Sequence, residues 1–413
     1  MKKFGCILVL LTGCCLFAGA EDPPGPEWVP QLLTQEEAAE GFFPLFNGQD
    51  LDGWWIRGDN KEAVVIKDGV LAITGKGADW VFTTREYENF VLRYEYRVPP
   101  EGGNSGVAIR ATREGNPAFT GMEIQVCEPI DPPHAGSAGA LYSSAAPAVK
   151  ADNPVGEWNM VEVICDGPRI RTSMNGKQLY DIKTTDETKR EDEEKPLAER
   201  AKVGHIALQD HGDYVEFRKI RLKPLPGGEG WRPLFNGKDL EGWTVVGDAT
   251  WSVPESGMLR VDGSTLTTRS ELRSIEEFKD FEMRLSVRPH KKEGGGGANS
   301  GVFFRGSGDA PWPRTYEAQV DNHDPRQFTG AIWDQVPASE LRAMDDCWFL
   351  MDIRAVGPMI QVAVNGKTVV DYISSRHDKF PTGWFSLQGH DPKSVVDFKD
   401  IEIKVVEEKP EGQ

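Results

Sequence analysis

Cysteine is scarce in this chain, with six in 413 residues, and Cys6, Cys14 and Cys15 crowd the first fifteen positions. The other three, Cys127, Cys165 and Cys347, stand far apart, which excludes a disulfide framework and a metal knuckle alike and leaves buried thiols. Positive charge is also in deficit. Lys and Arg number 47 against 65 Asp and Glu, giving a net charge of −18, and the basic residues are scattered among acids. Such a chain has no basic stripe for nucleic acid and no patch for an anionic membrane surface. No hydrophobic run is long enough to cross a bilayer as a helix. Helical periodicity is sparse: Gln35 to Ala39 reads as one turn, and Glu187 to Arg200 as a charge-rich exposed loop or short helix.

What is present begins with a targeting pattern. Lys2 and Lys3 precede an apolar run from Phe4 to Leu11 and then small residues. Two processing points compete. Ala18-Gly19-Ala20 precedes Glu21 as at a signal-peptidase site, giving a leader over residues 1–20, whereas Leu11-Thr12-Gly13-Cys14 resembles a lipobox that would make Cys14 a lipid anchor. Both place the mature chain outside the cytoplasm, periplasmic or secreted, either free or tethered by lipid alone.

The rest of the chain is written twice. Leu45-Phe46-Asn47-Gly48-Gln49-Asp50-Leu51-Asp52-Gly53-Trp54 returns as Leu234-Phe235-Asn236-Gly237-Lys238-Asp239-Leu240-Glu241-Gly242-Trp243. In the same order, Asn104-Ser105-Gly106-Val107 matches Asn299-Ser300-Gly301-Val302, and Glu123-Ile124-Gln125-Val126 matches Glu317-Ala318-Gln319-Val320. Gly139-Ala140-Leu141-Tyr142 pairs with Gly330-Ala331-Ile332-Trp333, and Leu208-Gln209-Asp210-His211 with Leu387-Gln388-Gly389-His390. The period far exceeds one supersecondary unit, so this is a duplicated domain rather than a solenoid, as expected where one core would be overextended. The copies span residues 43–224 and 232–406. The Pro/Gly-rich stretch 225–231 joins them, short enough that the domains should touch.

Each copy is dominated by short runs of period two, such as Phe90-Val91-Leu92-Arg93-Tyr94-Glu95-Tyr96 and Met160-Val161-Glu162-Val163-Ile164. These are half-buried strands. Asn175-Gly176 and Asn365-Gly366 lie between such runs and suit the positive φ angles of a tight hairpin. The chain is therefore all-β, with sandwich architecture. On this evidence alone it is an exported sandwich with acidic, sugar-facing character.

The ordered motifs L-F-N-G-x-D-L-x-G-W, N-S-G-V with an arginine three residues on, E-x-Q, G-A-L-Y, G-E-W-N and L-Q-D-H-G resemble the 3-keto-disaccharide hydrolase domain over Phe43 to Val406. The resemblance implies two concanavalin A-like jelly rolls in tandem. It also implies cleavage of glycosides already oxidised to a ketone at C3, with an oxidised sugar or glycoside as the partner and no cofactor. A C3 ketone acidifies the C2 hydrogen, so a base can remove it and the enolate can expel the C1 substituent. Proton carriers are then Glu123 with His211 and Glu317 with His390, and Arg110 and Arg305 are the anion stabilisers. Substrate contacts fall to Asn104, Gln125, Tyr142, Gln209 and Asp210 in the first copy and to Asn299, Gln319, Asp321, Trp333 and Gln388 in the second. Because alternate strand residues share a face, Glu123 and Gln125 point the same way, as do Glu317 and Gln319.

Blander readings stand beside these. The Asn-Gly turns with Trp54 and Trp243 read as structural; Glu123 and Gln125 also fit a solvent-facing strand; Trp158 and Trp348 fit a core as well as a sugar platform. Asp321, Asn322, His323 and Asp324 would suit a divalent cation, without a recognised loop spacing. The copies also depart from the pattern differently. Cys127 replaces an aspartate after the first E-x-Q-V; Asp345-Asp346-Cys347-Trp348 replaces G-E-W-N and Gly389 the aspartate of Q-D-H-G in the second. The rivals to an enzyme are a non-catalytic, lectin-like sugar binder and a protein-interaction module.

Overall fold

The structure, a computed structural model, describes residues 32–58, 60–189, 194–292, 295–308 and 314–407. The leader and Cys14 lie outside them. Among the described residues no helix is long and apolar enough to cross a membrane.

Each copy is a sandwich of two antiparallel sheets, one of eight strands and one of five. In the first, the five-stranded sheet runs Trp54–Ile56, Trp80–Tyr87, Gly204–Gln209, Asn104–Ala111, Met122–Cys127. In the second the same order is Trp243–Val246, Ser270–Phe278, Gly383–Gly389, Ser300–Ser307, Arg314–Val320. The jelly-roll expectation is met twice.

Period two decides which residues fill the space between sheets. Strand Phe90–Arg97 buries Phe90, Leu92, Tyr94 and Tyr96 in the core and turns Arg93, Glu95 and Arg97 outward. There they pair across strands, Arg93 with Glu162 at 2.8 Å, Glu95 with Arg218 at 2.6 Å, and Arg97 with Glu216 at 2.5 Å. Strand Phe281–Pro289 repeats the device with Phe281, Met283, Leu285 and Val287 inward. Asn175 and Asn365 take φ of 48° and 49°, each followed by a glycine at 78°, which is the hairpin turn the sequence suggested.

Several bland readings are correct. Trp54 is buried and its indole N–H donates to the Leu45 carbonyl at 2.7 Å, while Asn47 caps its own turn by accepting from the amides of Gln49 and Asp50. Trp348 is buried, in line with the core reading, and Trp158 is half-buried. Each lies against an eight-stranded sheet beneath two cations, Arg97 and Arg218 over Trp158, and Arg288 and Lys399 over Trp348. Cys127 and Cys165 are buried free thiols, and Cys347 is half-buried.

The domains touch. Arg85 meets Asp352 at 2.6 Å and Lys367 meets Asp52 at 2.5 Å across the interface. Helix α1, Gln35–Glu40, is closed by a capping box between Thr34 and Glu37. Glu37 then accepts from Arg221 and Arg93 of the first domain. Burial alone would raise the Glu37 carboxyl, but the Arg221, Thr34 and Arg93 hydrogen bonds outweigh it and hold the group below its usual range. Leu33, Ala38 and Phe42 of this segment pack with Val91 and beside Met344 and Cys347, so the segment before the first strand is a wedge between the two sandwiches.

Candidate functional site

Met122, Ile124 and Val126 of strand Met122–Cys127 enter the first core, so Glu123 and Gln125 face away from it on the outer side of the five-stranded sheet. The strand pairing builds two rows across that face. One runs Trp55, Phe82, Ala207, Ala108, Glu123, and the other brings Trp80, Gln209, Gly106 and Gln125 side by side. The second domain repeats the layout as Thr244, Arg273, Ser386, Phe303, Glu317, with Glu271, Gln388, Gly301 and Gln319 alongside.

A glycine makes room for each glutamate. A Cβ on Gly106 would overlap Glu123 Oε1, and one on Gly301 would overlap Glu317 Oε1. The glycine of N-S-G-V is thus a cradle for the carboxyl of E-x-Q. Despite facing outward, the carboxyls are buried, with Glu123 2% and Glu317 7% exposed. Burial alone pushes Glu123 up to about 8. Burial also pushes Glu317 up to about 8, against the opposing influence of the Arg269 guanidinium and the adjacent Gln388 amide. Glu123 Oε1 has no hydrogen-bond partner.

This sets a pH dependence of stability. The unfolded glutamate titrates near 4.5 and the folded one near 8, so between these values the native state keeps a proton the unfolded chain has lost. Stability should therefore fall as pH rises through that window, by up to about 1.4 kcal/mol per pH unit per group. Urea denaturation at pH 5, 6.5 and 8 should show a shallower decline in Glu123→Gln and Glu317→Gln than in the wild type. Parallel slopes would mean that the native carboxyls are not proton-loaded.

The other sequence-derived residues divide. Asn104 accepts from Gln125 Nε2 at 2.9 Å, and the Tyr142 amide donates to the Glu123 carbonyl at 2.8 Å, so both border the first site. In the second, Asn299 Nδ2 donates instead to Asp321 at 3.0 Å, where the first copy has the weaker acceptor Cys127. Gln319 Oε1 and both amide atoms of Gln388 then lack a hydrogen bond of normal geometry. Trp333 stands 48% exposed beside Glu317, its amide donating to the Glu317 carbonyl.

Arg110 and Arg305 are not at the site, which corrects the expectation of anion stabilisers. Each sits at a β-bulge with positive φ, 52° and 54°, and the bulge re-aims the side chain away from the glutamate face. Arg110 donates to the Glu88 carbonyl and to Asn89. Arg305, fully buried, donates to the carbonyls of Lys279 and Gly357 and to Asp280 at 3.0 Å. Asp210 is likewise spent, accepting from the amides of Gly77, Ala78 and Gly212. His211 is exposed on that loop, two residues past Gln209 and beyond the row carrying Gln125, and His390 is held by Asp391 at 3.2 Å. Neither histidine is brought to its glutamate.

The oxygens around Asp321 do not converge on one point. Asp321 accepts from Asn299 and from the amides of His323 and Asp324, while Asn322 and His323 turn to Asp345. Among the described residues no three metal-ligating side chains of His, Cys, Asp or Glu are gathered. A cleft of about 640 Å³ lies between the domains, lined by Asp52, Arg85, Asp352 and Lys367 among others, and neither glutamate borders it.

Sequence reasoning missed Glu271, Arg273 and Ser386 in the second face and their counterparts Trp80, Phe82 and Ala207 in the first. The signal was available in the alternation of Glu271-Leu272-Arg273 against Trp80-Val81-Phe82, but those strands share no motif that would align them.

A family model for the 3-keto-alpha-glucoside-1,2-lyase-like domain matches residues 41–223 and again 230–404. A 3-keto-disaccharide hydrolase of Bacteroides thetaiotaomicron is 27% identical over 234 residues, covering 45% of this chain and 79% of the relative. A candidate glycosyl hydrolase from Parabacteroides distasonis is 27% identical, covering 47% of this chain and 98% of its own, with a TM-score of 0.40. The carbohydrate-binding module CBM66 from Bacillus subtilis is 21% identical over 41% of this chain and 97% of its own, with a TM-score of 0.31. With both sandwiches matched almost end to end, this chain belongs to the 3-keto-alpha-glucoside-1,2-lyase-like domain family, in two tandem copies.

Proposed function

We propose that the protein is an exported enzyme that cleaves the glycosidic bond of 3-keto-disaccharides or 3-keto-glycosides. The observation that carries this reading is a glutamate in each copy, buried over a glycine, with its carboxyl raised to about 8. A carboxylate of that basicity is better matched to a C–H acidified by a ketone than an ordinary one. Ionised, it takes the C2 proton, and the electron pair moves onto the C3 oxygen as an enolate. The enolate re-forms the ketone by expelling the C1 substituent, which takes the proton from the glutamic acid as it leaves, and a C1–C2 double bond results. Water then adds its oxygen at C1 and a proton returns to C2, so the net change is hydrolysis. The amides of Gln125 and Gln209, or Gln319 and Gln388, would donate to the C3 oxygen, the role first given to the arginines.

The family's lyase-like description and the relative named as a 3-keto-disaccharide hydrolase support this choice of substrate. Export, free or lipid-anchored, is supported by the Lys2-Lys3 and Phe4 to Leu11 pattern. The test is product analysis of purified residues 21–413 incubated with 3-keto-trehalose or a 3-keto-glucoside. Free 3-keto-glucose is the expected product. Binding without product would establish a lectin-like protein instead, and no binding at all an interaction module.

A further inference from the structure

The two faces keep the same glutamate and glutamine but surround them with opposite chemistry. Beside Glu123 the first copy places Ala108, Ala207, Phe82, Trp55 and Trp80. Trp55 stacks on Phe82 at 4.7 Å between ring centroids, and Arg57 and Arg113 lie over these two rings. Phe82 and Trp80 are both buried. That face sets apolar side chains beside its glutamate.

The second copy replaces Trp80, Phe82 and Ala207 with Glu271, Arg273 and Ser386, as the strand pairing shows. Glu271 is 1% exposed and accepts from Arg273 at 2.6 Å and from Ser386 Oγ at 2.7 Å. Between Glu271 and Gly301, the cradle of Glu317, stands Gln388, also 1% exposed, whose amide lies against the Glu317 carboxyl. Gln319 Oε1 and Asn299 Oδ1 are unsatisfied on the same side. A buried amide oxygen left without a donor is costly, and a polar ligand would complete those of Gln319 and Asn299.

We propose that the second domain is the copy that takes the sugar, and that Glu271 is a further substrate-binding residue there. Held as an acceptor by Arg273 and Ser386, Glu271 receives a sugar hydroxyl, and Gln388 and Gln319 satisfy the neighbouring polar groups of the ring. Glu317 is left as the proton carrier. The proposal rests on the reading of the site as one for oxidised glycosides, but the identity of the sugar-binding face can be tested without turnover.

The experiment uses the full mature chain and three variants, Glu271→Gln, Ser386→Ala and Glu317→Gln, with Glu123→Gln for comparison. Each is assayed for kcat and KM on a 3-keto-glucoside and titrated calorimetrically with the unoxidised glucoside, its folding checked by thermal melting. Glu271→Gln is expected to raise KM at least tenfold and to weaken glucoside binding by the same factor. Ser386→Ala, which removes one donor and leaves the charge pair, should move both in the same direction by a smaller factor. Glu317→Gln should cost kcat at least ten times more than Glu123→Gln does. The proposal is overturned if Glu271→Gln and Ser386→Ala melt as the wild type does and leave KM and binding unchanged, or if Glu123→Gln is the more damaging of the two glutamate changes. If the wild type forms no product, the hydrolase reading fails. The calorimetric arm alone then decides whether the second face binds sugar.

Discussion

Replacing Glu123 and Glu317 together by Gln is expected to lower turnover of a 3-keto-glucoside by about 10²–10⁴-fold, the usual contribution of a positioned proton-transfer group. Gln keeps the volume that Gly106 and Gly301 accommodate and removes only the capacity to titrate, so KM should change much less than kcat. The pH profile carries the sharper information. A base must be ionised to act, and both carboxyls are raised to about 8 by burial, so kcat/KM should climb through neutral pH and level off above about 8. A profile that falls above 8 would make the carboxyl a proton donor and remove C2 abstraction from the scheme. Steady-state rates between pH 5.5 and 9.5 separate the two, provided the loss of stability predicted over the same range is followed in parallel.

Arg305→Ala is expected to cost about 3–5 kcal/mol of stability, the typical loss when one member of a buried ion pair is removed. Arg305 is fully buried and its guanidinium ties the Lys279 and Gly357 carbonyls to Asp280, whose carboxylate also accepts from the Gly357 amide. Alanine would strand Asp280 and leave two carbonyls without their donor. Lysine should rescue little, because an ammonium cannot satisfy three partners set in the plane of a guanidinium. Chemical denaturation measures the loss, and activity should decline only in proportion to the folded fraction. A variant as stable as the wild type but with kcat reduced a hundredfold would restore Arg305 to the chemistry.

Arg110 and Arg305 show where sequence reasoning ran out. Their position three residues after N-S-G-V is visible in the sequence, and alternation along a regular strand would have placed them on the glutamate face. A bulge in each strand turns them away, and a bulge is decided by pairing with neighbours distant in sequence. His211 and His390 failed for a related reason. Loop residues escape the period that orients strand residues, and both end beyond the rows that carry Glu123 and Glu317.

The sequence by itself determined the duplication, the all-β class, the turns and the outward direction of Glu123, Gln125, Glu317 and Gln319. All of these are local properties, written in a period of two or in a repeated motif. The tertiary structure alone decided what stands beside those four residues, because Trp80 and Glu271 reach the shared face through strand pairings that span more than a hundred residues. Burial decided the rest. A carboxyl on an outward-facing position is ordinary until neighbouring side chains remove its water, and it was that loss of water, not the position along the strand, that raised Glu123 and Glu317 to about 8.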